Sequence, residues 1–257
     1  MHSNRHKGRV VLVTGAASGI GAAIARQYAL EGASVALIDV NAEALAAFAA
    51  GLEREGATVA WACADVSDYA QCEVALGQIV QHLDAPVDTL VNNAGISPKT
   101  NGKPANFWEM QPAEWQKVVG VNLHGAFNFA RLVTPGMVQR RFGSIVNMSS
   151  VAGKAFVGFT AAHYGTTKAA LIGLTRDLAG ELGPYGITVN AIAPGRINTP
   201  LMRTASNETN QAVIAETALR RLGEPSEVAE MACFLTAPES RFVTGQVVDV
   251  AGGWLLT

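Results

Sequence analysis

The chain has 257 residues, 49% of them apolar and only 16% charged, a composition that supports one large buried core and excludes a disordered chain. With 19 basic and 21 acidic residues the net charge is −2 and no Lys/Arg run occurs, so neither nucleic acid nor a membrane surface is expected as a partner. Cys63, Cys72 and Cys233 and five scattered histidines match no metal-ligand spacing and read as ordinary residues of a reducing compartment. The polar first nine residues carry no signal-like apolar stretch, and no apolar run is long enough to span a bilayer. A cytoplasmic protein is therefore expected.

Along the chain, β-rich runs alternate with helical patterns. Residues 10–14 predict a buried strand and 20–30 a helix; 34–40 a strand and 42–55 a helix; 58–63 a strand and 68–83 a helix. Residues 89–91 end a fourth strand, and one long helix is expected over 112–134. A fifth strand (144–148), a helix (164–182), a sixth strand (187–192), a helix (225–235) and a last strand (246–250) complete the pattern. Continuous apolar strands separated by helices predict a single α/β domain over 1–257. This would be a Rossmann-type, doubly wound parallel sheet of about seven strands with helices on both faces. Segments 97–110 and 201–219 break the rhythm. Both follow strand ends, where open α/β sheets bind ligands, and both are expected on the substrate side.

The first strand runs into Thr14-Gly15-Ala16-Ala17-Ser18-Gly19-Ile20-Gly21. Glycine lets this backbone turn tightly and approach a pyrophosphate, and the following helix offers free N–H groups at its positive end. Gly15, Ser18, Gly19, Ile20 and Gly21 are candidate cofactor contacts; a plain tight turn is the other reading. Asp39 ends the second strand, where a carboxylate can accept bonds from ribose hydroxyls and repel a 2′-phosphate. With only Ala16, Ala17 and Val40 around it, NAD is the expected cofactor; alternatively Asp39 caps the next helix. Asp65 and Val66 follow the third strand, as the edge of an adenine site or as a helix-initiating turn. Asn92, Ala94 and Gly95 follow the fourth, where small residues would admit a cofactor. Asn93 reads rather as a loop tie.

Tyr164 and Lys168, four apart on a predicted helix, share a face. A lysine ammonium nearby favours the phenolate and lowers a tyrosine pKa from about 10. Alone, such a pair is more often a surface feature. Here it stands in order with the glycine loop, Asn92-Asn93-Ala94-Gly95, Asn122, Ser149-Ser150, Tyr164-Gly165-Thr166-Thr167-Lys168 and Ala193-Pro194-Gly195. From about Gly8 to Gly253 the chain resembles the short-chain dehydrogenase/reductase family of the short, single-domain type.

The resemblance implies that Tyr164 is the general acid/base and that Lys168 lowers its pKa and binds the nicotinamide ribose. It implies Ser150 on the substrate oxygen and Asn122 holding a water behind Lys168. Pro194, Gly195, Ile197 and Thr199 would border the cofactor, Thr199 and the Ile197 backbone holding the carboxamide. Ser150 stands 14 positions before Tyr164, one more than the commonest spacing, so an extra residue is expected between 154 and 162. Ser149 reads as a tie to the backbone.

Candidate pocket walls are Trp108, Phe156, Phe159, His163, Arg196, Leu201 and Met202, with His163 rather a rim or packing residue. Trp108 and Trp254 also suit core or interface. The polar middle of 201–219 reads as a lid or an exposed loop. The family further implies a homotetramer, packing through 112–134, 164–182 and the 246–253 strand and tail. The expected activity is an NAD-linked oxidoreductase acting on a small secondary alcohol or ketone, a polyol or sugar alcohol among them, with no metal. The alternative is a 3-oxoacyl-thioester reductase; carrier-linked members usually place a basic residue where Gly180 precedes Glu181 here, although Arg140 and Arg141 could contribute to a carrier site. A fold kept only for sensing or binding is disfavoured by the intact Asn122, Ser150, Tyr164 and Lys168.

Overall fold

The computed structural model describes residues 4–99, 103–200, 202 and 207–256. In chain order it contains β1 (Val10–Thr14), α1 (Gly19–Leu30), β2 (Ser34–Asp39), α2 (Ala42–Arg54), β3 (Val59–Cys63), α3 (Tyr69–Leu83) and β4 (Thr89–Asn92). These are followed by α4 (Pro112–Val119), α5 (Gly125–Arg140), β5 (Gly143–Met148), α6 (Ala162–Leu182), β6 (Ile187–Pro194), α7 (Asn207–Glu216), α8 (Pro225–Thr236) and β7 (Val247–Val250).

The period-two geometry of a strand explains why apolar runs fill both faces of one sheet. In β1, Val11 and Val13 join the core formed with α1, α2 and α8, while Val10 and Leu12 join the core formed with α3, α5 and α6. All four are buried. The seven strands lie in the order β3-β2-β1-β4-β5-β6-β7, every pair parallel. The order reverses between β1 and β4, which opens a crevice beyond their carboxyl ends. This is the doubly wound fold expected from the alternation of elements. No helix among the described residues is long and apolar enough to cross a membrane.

Two expectations need correction. The helix expected over 112–134 consists of α4, one π-helical turn at Gly120–His124, and α5, which continues to Arg140. Pro135 does not stop it. Pro135 and Arg131, whose carbonyl loses its partner, are both exposed, while Val133 and Met137 are buried and hold the helix down. Segment 201–219 is not irregular throughout, because it contains α7. There the buried positions Asn210, Val213 and Thr217 keep helical spacing, but two of the three are polar, so the apolar signal is missing.

The N-terminal segment is pinned by a buried polar cluster. His6 Nδ1 lies 2.9 Å from Glu31 Oε2 and His6 Nε2 lies 3.1 Å from Thr236 Oγ1. Arg5 pairs with Glu31, and the Tyr28 hydroxyl donates to the Ala232 carbonyl at 2.9 Å. Burial pushes the His6 pKa down, against the pull of Glu31. Burial pushes Glu31 up, but hydrogen bonds from Arg5, Gln27 and His6 outweigh it and hold the carboxyl below its ordinary value. Both folded values are depressed, so the stability these groups contribute is complete above their unfolded values and is lost as the pH falls. The melting temperature is therefore expected to decline as the pH drops below about 6.5, the ordinary histidine value. Replacement of His6 by glutamine should remove the upper part of that decline. A wild-type melting temperature that stays level from about pH 7 to about pH 5 would contradict this account.

Candidate active site

The β1–α1 turn is laced to the β4 end by Asn93. Its side-chain amide donates to the carbonyls of Thr14 (3.0 Å) and Gly15 (3.2 Å). Thr14 Oγ1 accepts from the backbone N–H groups of Asn93 and Ala94, both at 3.0 Å. Gly15 and Gly19 have φ of +65° and +56°, where a side chain would be strained. No side chain caps α1 and no acidic residue stands in its first turn. Its first N–H groups and positive end are thus left for an anion. Ser18, Gly19 and Ile20 line a cavity of about 630 Å³ that begins here. Gly21 does not line it. Gly21 packs behind Gly15, so close that a Cβ would collide with the Gly15 carbonyl oxygen.

Asp39 and Val40 line the same end of the cavity. Asp39 Oδ2 accepts from Ala17 N and Oδ1 from Asn41 N, both at 3.0 Å. The cap of α2 is Asn41, not Asp39: Asn41 Oδ1 accepts from Ala44 N at 3.1 Å. Asp65 and Val66 line the cavity too, while Asp65 Oδ1 also makes the turn, accepting from Ser67 N (2.9 Å) and Ser67 Oγ (2.7 Å). Ala94 and Gly95 line the cavity, but Asn92 does not. Asn92 is buried behind the sheet end, donating to Asn147 Oδ1 at 2.9 Å and Ala126 O at 3.3 Å. A polar side chain at a parallel strand end has these internal acceptors within reach, so it ties β4 to β5.

At the other end of the cavity stand Ser150, Tyr164 and Lys168, and Pro194, Gly195, Ile197 and Thr199 line it as well. Lys168 Nζ lies 5.6 Å from the centroid of the Tyr164 ring, as the four-residue spacing on α6 predicts. It donates to the Met148 carbonyl at 2.7 Å, and burial pushes its pKa down to about 8. Burial pushes Tyr164 up; a hydrogen bond with Ser150 and the positive charge of Arg196 oppose this without cancelling it. The expectation that Lys168 lowers Tyr164 is thus not met in the protein alone. The Lys168 ammonium is turned onto the Met148 carbonyl and is itself desolvated, while the positive charge of Arg196 draws the Tyr164 value down. Ser149 Oγ donates to the Lys168 carbonyl at 2.7 Å, tying β5 to α6 as expected. Ser150 Oγ accepts from Ala152 N at 3.1 Å.

Asn122 sits in the π-helical turn, buried and off the cavity wall. Its Oδ1 accepts from Ile96 N (2.8 Å), and its Nδ2 donates to Ile96 O (3.0 Å) and Thr167 Oγ1 (3.2 Å). A Cβ on Gly95 would lie 3.3 Å from Lys168 Nζ and 3.5 Å from Asn122 Oδ1, so only a glycine-sized gap separates the amide from the lysine.

Of the wall residues read from the sequence, Phe159, Arg196 and Met202 line the cavity. Trp108 (81% exposed) and Phe156 (94%) point to solvent, and neither lines it. His163 is fully buried, its Nε2 lying 2.8 Å from Glu114 Oε1 on α4, a packing role. Leu201 lies outside the described residues, as do 203–206 and 100–102 of the two irregular segments. Sequence reasoning missed Lys99, Lys117 and Val157, and left Trp254 to core or interface; all four line the cavity. Lys99 falls in a segment whose position after β4 pointed to ligand contact. Trp254 stacks on Phe159 (centroids 5.8 Å apart, planes at 5°), and its Nε1 donates to Glu216 Oε2 at 3.1 Å. Among the described residues no group of three or more His, Cys, Asp or Glu is placed to hold a metal.

A family model described as enoyl-(acyl-carrier-protein) reductase matches residues 15–255. An acetoacetyl-CoA reductase of Shinella zoogloeoides is 41% identical, covering 95% of this chain and 98% of its own. The structure of a 3-oxoacyl-(acyl-carrier-protein) reductase from Brucella melitensis with bound NAD is 48% identical, covering 99% of this chain and 94% of that one, with a TM-score of 0.93. A gluconate 5-dehydrogenase from Burkholderia cenocepacia, in complex with NADP and tartrate, is 33% identical over 98% of this chain and 97% of its own, with a TM-score of 0.91.

Proposed function

We propose, from the premise that this chain belongs to the short-chain dehydrogenase/reductase family, that it interconverts a small secondary alcohol and its ketone with NAD(H). As a member of that family it is an oxidoreductase acting on CH–OH or keto groups with a nicotinamide cofactor. One observation carries the rest. Ser150, Tyr164 and Lys168 line the same cavity whose far end is lined by Asp39 and the uncapped start of α1.

The cavity fits a dinucleotide. The open N–H groups of α1 suit a pyrophosphate, and Gly15, Ser18, Gly19 and Ile20 would hold it. Asp39 would accept from the adenosine ribose, Asp65 and Val66 would flank the adenine, and Lys168 would bind the second ribose. Gly95, Pro194, Gly195, Ile197 and Thr199 would enclose the nicotinamide. When bound, the dinucleotide supplies or takes up the hydride. Tyr164 moves the proton at its phenolic oxygen, giving it to the carbonyl in reduction and taking it from the hydroxyl in oxidation. Ser150 holds the substrate oxygen beside it. Lys168, charged below a pKa of about 8, stabilises the phenolate once its ammonium swings from Met148. Asn122, fixed on both sides of Ile96, positions the segment through Gly95 and would hold a relay water. Gly21 and Asn92 act behind this wall, holding the two loops in shape.

NAD rather than NADP is proposed because Asp39 stands where a 2′-phosphate would lie, among the neutral Ala16, Ala17 and Val40. The relatives do not decide it, since one is described with NAD and another with NADP. An uncompensated like-charge contact there should give roughly tenfold to several hundredfold discrimination. The test is kcat/KM for both cofactors with a panel of secondary alcohols and ketones, followed at the NADH absorbance. Equal values, or a preference for NADP, would remove Asp39 from this role.

At the substrate end Val157, Phe159, Met202 and Trp254 supply apolar surface beside the polar Ser97, Lys99, Thr160 and Arg196, so the lining suits a substrate with an apolar part better than a polyol that is polar throughout. A second reading, reduction of a 3-oxoacyl thioester, is favoured by the names of the relatives. Gly180, where carrier-linked members usually carry a basic residue, stands against a carrier-bound form. The assembly proposed is a homotetramer.

A further inference from the structure

We propose that Lys99 and Arg196 form a binding site for a substrate carboxylate, so that the reacting alcohol or ketone is a free hydroxy or oxo acid. The inference rests on the oxidoreductase reading and names its substrate class. Both side chains line the cavity beside Tyr164, and both are half-buried. The Arg196 guanidinium lies 4.8 Å and the Lys99 ammonium 5.9 Å from the centroid of the Phe159 ring, so one aromatic side chain seats both cations. Arg196 is oriented by α7: its Nε and one terminal nitrogen donate to Asn210 Oδ1 at 2.9 and 2.6 Å, and the same nitrogen donates to Met202 O at 3.2 Å. Every one of these acceptors is neutral.

No ion pair joins either cation to a carboxylate among the described residues. The carboxylates that line the cavity, Asp39 and Asp65, belong to its adenosine end. Burial and the Arg196 charge push Lys99 down, and burial pushes Arg196 down. Two like charges in a half-buried cavity, with no ion-pair partner among the described residues, are stabilised by an anion that arrives with the ligand. A planar carboxylate matches the fork of a guanidinium. Arg196 and Tyr164 line the same cavity, so an anion held by the guanidinium would share it with the reacting carbon. A thioester is neutral there, with its phosphates at the far end of a long arm, and a polyol is neutral throughout. The free acid satisfies the charge, and the apolar wall takes its carbon chain.

The test uses the whole protein saturated with NAD and calorimetric titration of butyrate, butyramide and inorganic phosphate. NAD binding is measured first. Its failure would sink the NAD-linked reading, whereas NAD binding without an acid preference sinks the carboxylate site alone. Butyrate is expected to bind about tenfold more tightly than butyramide, as one charge-assisted contact implies. Lys99→Gln and Arg196→Gln should each reduce that preference severalfold, and Arg196→Lys should keep part of it. Equal binding of acid and amide, binding of neither, or a preference unchanged in Lys99→Gln overturns the proposal. Phosphate binding more tightly than butyrate overturns the choice of a carboxylate.

Discussion

Tyr164→Phe is expected to lower turnover by roughly a hundred- to ten-thousandfold, the range for loss of a positioned general acid/base. Affinity for NADH should change little. The ring keeps its place on α6, and the Lys168 ammonium keeps its bond to Met148 at 2.7 Å. Only the phenolic oxygen is removed, and with it the group proposed to exchange a proton with the substrate. In the free protein burial raises the Tyr164 pKa, with Ser150 and Arg196 opposing, so the ionised form is scarce at neutral pH. Oxidation, which needs the phenolate, should therefore accelerate as the pH rises, and reduction should not. Measurement of kcat/KM in both directions, with NADH affinity by fluorescence titration, checks each part. A variant that keeps most of its rate on an established substrate would show that another group moves the proton.

Gly21→Ala should be the second severe lesion, with the opposite signature. The new Cβ would meet the Gly15 carbonyl oxygen and come within 2.6 Å of Asn93 Nδ2. One is a backbone atom and the other a side-chain amide held by the carbonyls of Thr14 and Gly15. Relief requires the β1–α1 turn and the β4 end to separate, at a cost of about 1–3 kcal/mol for overpacking at a tight site. The start of α1 would then no longer face the proposed pyrophosphate site correctly. NADH affinity is expected to fall roughly tenfold to a hundredfold, with a lower melting temperature. Turnover at saturating cofactor should suffer less. A variant that binds NADH within about twofold of the parent would show that the loop yields freely.

The contrast between these two residues shows what a sequence displays and what it hides. The strand and helix order was legible because apolar side chains repeat at periods that depend on local geometry alone. Val10 to Val13 alternate between two cores, and Tyr164 meets Lys168 because four residues make about one helical turn. Contacts between distant segments carry no such period. Nothing in the spacing reveals that Trp254 stacks on Phe159 or that Lys99 shares that ring with Arg196. Asn92 and Asn93 are adjacent and chemically identical, yet one is buried against Asn147 and the other laces the cofactor turn. Which way each points is set by strand pleat and by what lies across it. α7 was hidden for another reason: its buried Asn210 and the buried Thr217 just past its end are polar, Asn210 orienting Arg196.

The reversal of strand order between β1 and β4 bears on how such a protein changes over generations. Cavity residues numbered up to Val66 belong to the β1–β2–β3 half, and those from Asn93 onward to the β4–β7 half. The chain passes from one half to the other once, through the segment between Leu83 and Thr89. With Asp39 in its proposed role, a single genetic exchange there would carry the choice between NAD and NADP with the first half and leave the proposed substrate pocket in its parental form. The two specificities would then be inherited as separate cassettes, joined at the pairing of β1 with β4.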